Sequence, residues 1–468
     1  MLFNSFDFLV FFLVVFGIQW MLPHRPRNLF LLAASYFFYG CWDYRFLSLM
    51  LISTVVDFFC SHGIAHSENH ARRKWLLTIS IVANLSILGF FKYAGFFLDS
   101  FLDLASASGV TVSPRTWQII LPVGISFYTF QTMSYTWDVY RGEMKPLKSF
   151  WDFALYVAFF PQLVAGPIER GKHLSPQIES GPRTTWAGIQ SGTWLIAKGL
   201  FKKAVIADNL APVADTAFAA EQPSAGLVLI GVYAFAFQIY GDFSGYTDIA
   251  RGVGRMLGYS LSLNFRLPYL ATNPSDFWQR WHISLSSWLR DYLYIPLGGN
   301  RHGTLSTYRN LMLTMLLGGL WHGAAWNFVI WGLFHGAILI GHRWLLQNAP
   351  LIETLGRSTY VFRVLFMFHL TCLGWLIFRV ESFGHLTSML SGLTDWVTLT
   401  QNEAEMAWKV ALLSLPVMAL HVCKQATGDL NFETNLSWLP RTAIYGTVAF
   451  GILTLGAFGN QAFLYFQF

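Results

Sequence analysis

The sequence is poor in charge and in cysteine. Only 12% of its 468 residues are charged, against about 25% in soluble proteins. Its four cysteines, Cys41, Cys60, Cys372 and Cys423, lie far apart and form no CxxC or Cys/His spacing of the kind that binds zinc. We therefore expect neither a disulfide framework nor a metal site, and we predict that the cysteines are small core residues.

The basic residues do not indicate nucleic-acid binding, although the net charge is +6. They gather in short polar loops between apolar runs, as the positive-inside rule produces. The clusters at residues 25–27, 72–74 and 141–148 fall in alternate loops, which predicts a cytoplasmic position for all three. The acidic loops 99–116 and 381–407 are then on the far side, and both termini are outside the cytoplasm.

Apolar residues make up 54% of the chain, and aromatic residues 17%. A soluble protein could not bury so much apolar surface, so the composition predicts an all-α polytopic membrane protein. The first apolar run lacks a basic region before it and a cleavage site after it, so we expect a retained span. Two runs, 28–40 and 308–321, are short for a layer that needs about 20 residues and are predicted to be half-spans or re-entrant. The candidate spans are 6–22, 28–40, 46–62, 75–98, 117–138, 150–166, 188–211, 226–243, 308–321, 325–346, 360–380, 408–424 and 441–459.

Segment 188–211 is the least typical span because it carries Lys198, Lys202 and Lys203. Each charge at a span centre costs about 2.5–3.5 kcal/mol. We predict a helix that dips in from the cytoplasmic interface while its lysines reach back to the headgroups. A cationic lining for an anionic ligand is the open alternative. Asp242 and Asp248, further along, are predicted to be helix-end or ion-pair residues rather than acids.

One histidine, His322, lies within the apolar stretch 316–335 among glycines and tryptophans. Burying an ionisable ring there costs free energy unless something compensates it. The residues alone leave two readings open, a satisfied core histidine and a functional one. His335, thirteen positions on, is predicted to lie on roughly the opposite helical face and to be structural.

The stretch between residues 240 and 310 is the most polar part of the chain, and its arginines predict a cytoplasmic position. Asp276 and Arg280 are spaced for an i,i+4 pair, and Pro296 is expected to end the same helix. An interfacial amphipathic helix and a cavity-lining helix that presents His282 are both open. The helical face is predicted from the three-to-four and seven-residue spacing of Phe277, Trp281, Trp288, Tyr292 and Ile295.

Several motifs, taken together and in order, resemble one family. They are Leu121–Gln131, Phe159–Ile168, Asp242–Asp248, Phe277–Tyr294, Leu297–Arg301, Tyr308–Asn310, Trp321–Gly323 and the ending Phe463–Phe468. With them the sequence resembles the membrane-bound O-acyltransferase (MBOAT) family, in particular its bacterial alginate O-acetyltransferase branch.

The resemblance implies a fold and a location. The fold is an all-α bundle of about 11–13 membrane segments, some short or re-entrant, around a central tunnel. We expect a single membrane-embedded domain over residues 1–468, with N-terminal spans at 1–138, a catalytic core with cytoplasmic amphipathic helices at 139–346 and C-terminal spans at 347–468. The expected location is the bacterial inner membrane, with several passes.

The resemblance also implies an activity. Acetyl groups from cytoplasmic acetyl-CoA would pass through the membrane towards hydroxyls of an exported polysaccharide of the alginate or cellulose type. His322 matches the family's catalytic histidine and is expected to be the general base, since neutral imidazole accepts a hydroxyl proton near pH 7. His282 matches the second histidine of the branch and is the second candidate catalytic residue, with substrate handling and a structural role in its own helix both open. No metal or tightly bound cofactor is expected. The residues assigned to the donor tunnel are Arg280, Trp281, Asn310 and Trp321.

Besides the lipid bilayer, the implied partners are a periplasmic SGNH-hydrolase-like acetyltransferase, which would complete the transfer, and a polysaccharide synthase with its export machinery; no nucleic acid is expected. Three alternatives stay open. One is D-alanyl transfer to teichoic acid from a carrier protein, another is a non-enzymatic export component for polymer or acetyl donor, and the third is acyl transfer to lipids.

Overall fold

The computed structural model describes residues 1–109, 119–164, 166–349, 359–459 and 463–464. These residues form helices and connecting segments and contain no strand. The predicted all-α polytopic membrane fold is confirmed, whereas the number of segments, the central tunnel and the orientation of the termini stay predictions. Six helical stretches in the described part are long and apolar enough to cross a membrane: His24–Ala65, His70–Ala107, Ala225–Met256, Trp326–Asn348, Tyr360–Arg379 and Gln401–Thr427.

The chain divides into two compact units. The first comprises Met1–Ile196 and Ala250–Ser262, and the second comprises Ala197–Ile249 and Leu263–Phe468. The predicted single domain and its three sections stay predictions. Helix α10 and helix α12, whose ranges are given below, each contribute residues to both units.

The first unit contains ten helices in the described part. They are α1 Phe6–Met21, α2 His24–Asp43, α3 Leu47–Ala65, α4 His70–Leu88, α5 Ala94–Ala107, α6 Ile125–Tyr140, α7 Phe150–Ala158, α8 Phe160–Leu163, α9 Gly171–Ser180 and α10 Trp186–Leu200. Asp57 of α3 is fully buried and accepts hydrogen bonds from Ser80, from Asn84 at 2.7 Å and from Thr136 at 3.0 Å. These bonds join α3, α4 and α6 and satisfy a carboxylate that would be costly to bury alone.

The second unit holds the remaining helices and a core of aromatic side chains, including Trp281, Trp331 and Trp375. A π-helical turn, Phe201–Ala207, continues α10, and a second one, Arg290–Tyr294, follows α14. The helices are α11 Asp208–Phe218, α12 Ala225–Met256, α13 Pro274–Arg280, α14 Ile283–Leu289, α15 Gly303–His322, α16 Trp326–Asn348, α17 Tyr360–Arg379, α18 Phe383–Gly392, α19 Gln401–Thr427, α20 Phe432–Asn435 and α21 Trp438–Leu455.

Helices α15 and α16 pack against each other at backbone distance. A Cβ atom placed on Gly332 would lie 2.5 Å from the carbonyl oxygen of Met315, and one placed on Gly319 would lie 3.2 Å from the Cα of Gly332. Small residues permit such an approach between membrane helices. Because of this contact, the end of α15 has a fixed position relative to α16.

The two runs predicted to be half-spans are longer than the sequence indicated. Helices α2 and α15 each have 20 residues, because their polar ends are helical as well. At the rise of an α-helix, 20 residues extend about 30 Å. The prediction of a half-length segment is therefore wrong for α2, which lies in a stretch long and apolar enough to cross a membrane. For α15, which is not among those stretches, it stays a prediction.

The lysines of segment 188–211 do not reach back to an interface, so that prediction is wrong. Their side chains are largely buried, and each ammonium group contacts carboxylates of the chain itself, which offsets the cost of burial. The predicted ion-pair role of Asp242 and Asp248 is confirmed. The Nζ–O distances are 2.9 Å for Lys198–Glu433, 2.7 Å for Lys202–Asp248, 2.7 Å for Lys203–Asp208 and 2.7 Å for Lys203–Asp242.

The cysteines divide into two pairs. Cys60 and Cys372 are buried, as predicted, but Cys41 and Cys423 are exposed. The prediction that all four are core residues is wrong for the second pair. Composition alone does not distinguish an exposed position in an apolar segment from a core position.

The predicted far-side loop 381–407 and residues 215–225 lie together in the second unit. Arg379 contacts Asp215 at 2.9 Å, and Ser224 donates a hydrogen bond to Glu403 at 3.1 Å. Which side of the membrane they occupy stays a prediction. Of the predicted loop 99–116, residues up to Ala107 are helical in α5, and residues 110–116 lie outside the described part, as do residues 465–468 of the quoted ending.

Candidate active site

His322 is the last residue of α15 and is buried, with 5% of its surface exposed. The helix ends there because the backbone of Gly323 is extended (φ −161°, ψ 152°), and α16 begins three residues later. The predicted burial of His322 is confirmed, while its depth in the bilayer stays a prediction. A helix end therefore presents this imidazole beside the start of the next helix.

A cavity of about 380 Å³ extends from His322 along α13, α14, α15 and α16. Its size falls within the range of small-molecule sites, about 300–1,000 Å³. The wall is largely apolar, with a few polar side chains and one cation. Wall residues include Gly318, Trp331, Thr314, Met315, Ser286 and Arg290. The arrangement suits the uncharged part of a ligand, with a few polar groups, that reaches the imidazole.

Three aromatic rings surround the His322 ring. The ring centroids of Trp331, Trp321 and Phe378 lie 5.0, 5.1 and 5.5 Å from that of His322. The ring planes are nearly perpendicular, at 80°, 81° and 77°. These contacts hold the imidazole in an apolar setting from which bulk water is largely excluded.

His282 is the second histidine near this position. Its ring centroid lies 6.3 Å from that of His322 and 4.7 Å from that of Phe243, and it is fully buried. Burial lowers the pKa of the His282 imidazole to about 3. The ring is therefore neutral near pH 7. His282 does not line the cavity described above.

The prediction of a single helix over residues 276–296 is wrong. Helix α13 ends at Arg280, and His282 has a left-handed backbone (φ 44°, ψ 53°) before α14 begins. The cause is a neighbouring segment. The backbone carbonyl of Asn264 accepts from the N–H of Ile283 at 2.9 Å, and its side-chain Oδ1 accepts from the N–H of Ser284 at 3.1 Å. Histidine tolerates left-handed geometry better than most residues.

The four residues predicted for the donor tunnel do not line the cavity. Arg280 contacts Asp276 at 2.6 Å, which confirms their predicted i,i+4 pairing. The side chain of Asn310 donates to the carbonyl of Gly299 at 2.9 Å. Trp281 is buried within the aromatic core, and the ring of Trp321 contacts the rings of both His282 and His322. Their assignment to the donor stays a prediction that this cavity does not support.

Sequence reasoning identified Trp321, which contacts His322, but missed Trp331 and Phe378, which contact it as well. Trp326, the first tryptophan after His322, begins α16 and is 62% exposed. Trp331, five residues later, lines the cavity instead. Once the first residue of α16 is known, the helical periodicity indicates which of its tryptophans faces His322. No sequence motif pointed to Phe378, which belongs to α17.

The argument that placed His335 on the opposite helical face is wrong. It counted residues along one helix, but α15 ends at His322 and His335 belongs to α16. His335 is buried, and its ring lies 4.5 Å from the ring of Trp331. Its structural role stays a prediction.

The side chains of the described residues include no group of three or more histidine, cysteine, aspartate or glutamate residues placed to hold a metal ion.

Comparison with known proteins provides evidence that is independent of the geometry of the site. The model of the MBOAT, membrane-bound O-acyltransferase family matches residues 145–380. The chain is 39% identical to the probable alginate O-acetylase AlgI of Azotobacter vinelandii over 100% of both chains. It is 43% identical to the same-named protein of Pseudomonas aeruginosa PAO1, over 87% of this chain and 78% of the relative. It is also 34% identical to the peptidoglycan O-acetyltransferase of Helicobacter pylori, over 95% and 92%.

Proposed function

The chain belongs to the membrane-bound O-acyltransferase family, and we propose that it passes acetyl groups from acetyl-CoA towards the hydroxyls of an exported polysaccharide of the alginate type. The observation that carries the proposal is a buried histidine at the wall of a cavity of ligand size. The similarity to alginate O-acetylase proteins over the whole chain supports the acceptor class.

His322 is proposed to be the general base. The acceptor hydroxyl oxygen attacks the acetyl carbonyl carbon, the new C–O bond forms and the C–S bond of the thioester breaks. The hydroxyl proton moves to the imidazole and then to the departing thiolate, so the products are an ester and a thiol. A positioned base of this kind accelerates such reactions by about 10²–10⁴-fold.

The position of His322 at a helix end favours this role. The carbonyl end of a helix carries partial negative charge, which stabilises a neighbouring cation by about 0.3–1 kcal/mol and by up to about 2 kcal/mol when partly buried. The imidazolium that forms during proton transfer is such a cation. The last residue of α15 is therefore a favourable place for a base.

His282 is proposed to handle substrate rather than to accept the proton. With a pKa of about 3 it is a weak base near pH 7, but a neutral imidazole still offers one donor and one acceptor. Its ring lies close to that of His322.

We further propose that the acetyl group leaves the membrane through a periplasmic SGNH-hydrolase-like partner beside a polysaccharide synthase, and that both termini are periplasmic. These points rest on the family resemblance. The first acceptor is then either the polymer or a hydroxyl of the partner. A non-enzymatic export role is no longer a candidate, because the chain belongs to an acyltransferase family.

The test uses the full chain in lipid nanodiscs with radiolabelled donors. Acetyl-CoA, a long-chain acyl-CoA and a D-alanyl carrier protein are compared as donors, with alginate, cellulose and peptidoglycan fragments as acceptors. We expect acetyl-CoA turnover that falls at least about 10²-fold in His322→Ala. The exposed His66 provides the control His66→Ala, which should retain activity. Use of the carrier protein alone would contradict the proposal and favour teichoic-acid D-alanylation.

A further inference from the structure

The rings around His322 form a box on the protein's side of the cavity. Trp331, Trp321 and Phe378 approach the imidazole from different helices, α16, α15 and α17. All three pairs are nearly perpendicular, so in each pair the edge of one ring meets the face of the other. Only Trp331 and His322 themselves also line the cavity.

Trp331 has little freedom to move. It is 1% exposed, and its ring also contacts those of His335 at 4.5 Å and Trp278 at 5.7 Å. Phe378 contacts it as well, at 5.6 Å. A ring held in this way keeps the same position before and after proton transfer, so its interaction with the imidazole needs no reorganisation.

Such a ring distinguishes the two states of the base. A cation positioned over the face of an aromatic ring, within about 6 Å of its centroid, is attracted by the ring's quadrupole, and tryptophan attracts most strongly. The 5.0 Å separation and the 80° interplanar angle of the His322–Trp331 pair allow the imidazole edge, which carries the N–H groups, to point at the Trp331 face. The neutral imidazole gains little from this attraction, whereas the imidazolium gains fully. Stabilisation that is present only as the proton arrives lowers the barrier rather than tightening ground-state binding.

We propose that Trp331 stabilises the imidazolium of His322 during acyl transfer, with Trp321 and Phe378 as positioning residues that orient the ring. The proposal deepens the proposed function, because it rests on His322 as the general base. It assigns Trp331 an electronic role in proton transfer, beyond filling space in the aromatic core.

The test changes the electron density of the Trp331 ring without changing its shape. Tryptophan analogues with one, two or three fluorine atoms are incorporated at position 331 of the full chain in nanodiscs. We expect kcat to fall stepwise with fluorine number, by about thirtyfold across the series, with KM nearly constant. The acid limb of the pH–rate profile should move to lower pH, because the charged form of the base has lost stabilisation.

Trp326, on the same helix but 62% exposed, provides the matched control, and its fluorination should leave turnover unchanged. Trp331→Phe should retain more activity than Trp331→Leu. A flat or rising series at position 331 would overturn the proposal and leave Trp331 a packing residue. His322→Ala in the same preparation separates the two hypotheses, since full activity there would refute the base itself.

Discussion

Replacing Gly319 by alanine tests whether the contact between α15 and α16 positions the base. The added Cβ would meet the carbonyl oxygen of Phe328 and would lie 3.2 Å from both the Cα and the N of Gly332. These neighbours are backbone atoms and cannot move alone. The two helices must therefore separate by about 1 Å to restore ordinary carbon contact distances.

The expected effects follow from this displacement. Overpacking costs about 1–3 kcal/mol, and exchanging a helical glycine for alanine returns about 0.5–1 kcal/mol. The larger effect is on turnover, because His322 ends one helix and Trp331 belongs to the other. A misplacement of about 1 Å can cost 10²-fold in rate. We expect Gly319→Ala to fold, with kcat for acetyl-CoA reduced by about 10–10²-fold.

The assay measures kcat together with thermal stability in nanodiscs. Gly341→Ala is the matched control, because Gly341 lies on the same α16 and a Cβ there meets nothing within 4 Å. That variant should keep full activity and gain up to about 1 kcal/mol of stability. If both variants turned over at the same rate, the α15–α16 contact would not position the base.

Two further variants probe the surroundings of the site. Lys203→Met leaves the buried carboxylate of Asp242 without its ammonium partner at 2.7 Å, and the free energy of unfolding should fall by about 3–5 kcal/mol, measured as lost thermal stability and abundance. Asn264→Ala removes the acceptor of the Ser284 N–H, which costs about 1–3 kcal/mol, and kcat should fall because the turn at His282 loses a hydrogen bond.

Surface variants provide the controls for these two. Arg45→Met breaks a pair between Arg45 and Asp43 in which the arginine is largely exposed, and stability should barely change. The control for Asn264→Ala is Asn348→Ala, which removes an exposed side chain that donates a hydrogen bond to the Trp344 carbonyl. If Lys203→Met were as stable as Arg45→Met, the buried charge network would not support the second unit. Unchanged kcat in Asn264→Ala would contradict a role for the turn.

Local sequence information was sufficient to predict the helical class, the buried His322 and the Asp276–Arg280 pair. Each depends on composition or on residues a few positions apart. The break at His282 could not be predicted, because it depends on hydrogen bonds from Asn264, some 20 residues earlier in the chain. Without that segment, the aromatic spacing favoured a single helix.

The lysines show the same limit. The sequence indicated three lysine charges that would be costly inside the membrane, and the prediction therefore placed them at the membrane–water interface. Their partners include Glu433, far along the chain from Lys198. In the same way, the tryptophan that lines the cavity could be identified only once the start of α16 was known. Long-range contacts, rather than local patterns, decided each of these cases.

The most direct test of the central claim is polymer acetylation in cells. His322→Ala replaces the wild-type chain in its own membrane, and the ester content of the exported polysaccharide is measured at matched protein abundance, with His66→Ala beside it. We expect acetylation to be lost in His322→Ala and retained in His66→Ala. Full acetylation in His322→Ala would contradict the assignment of His322 as the base.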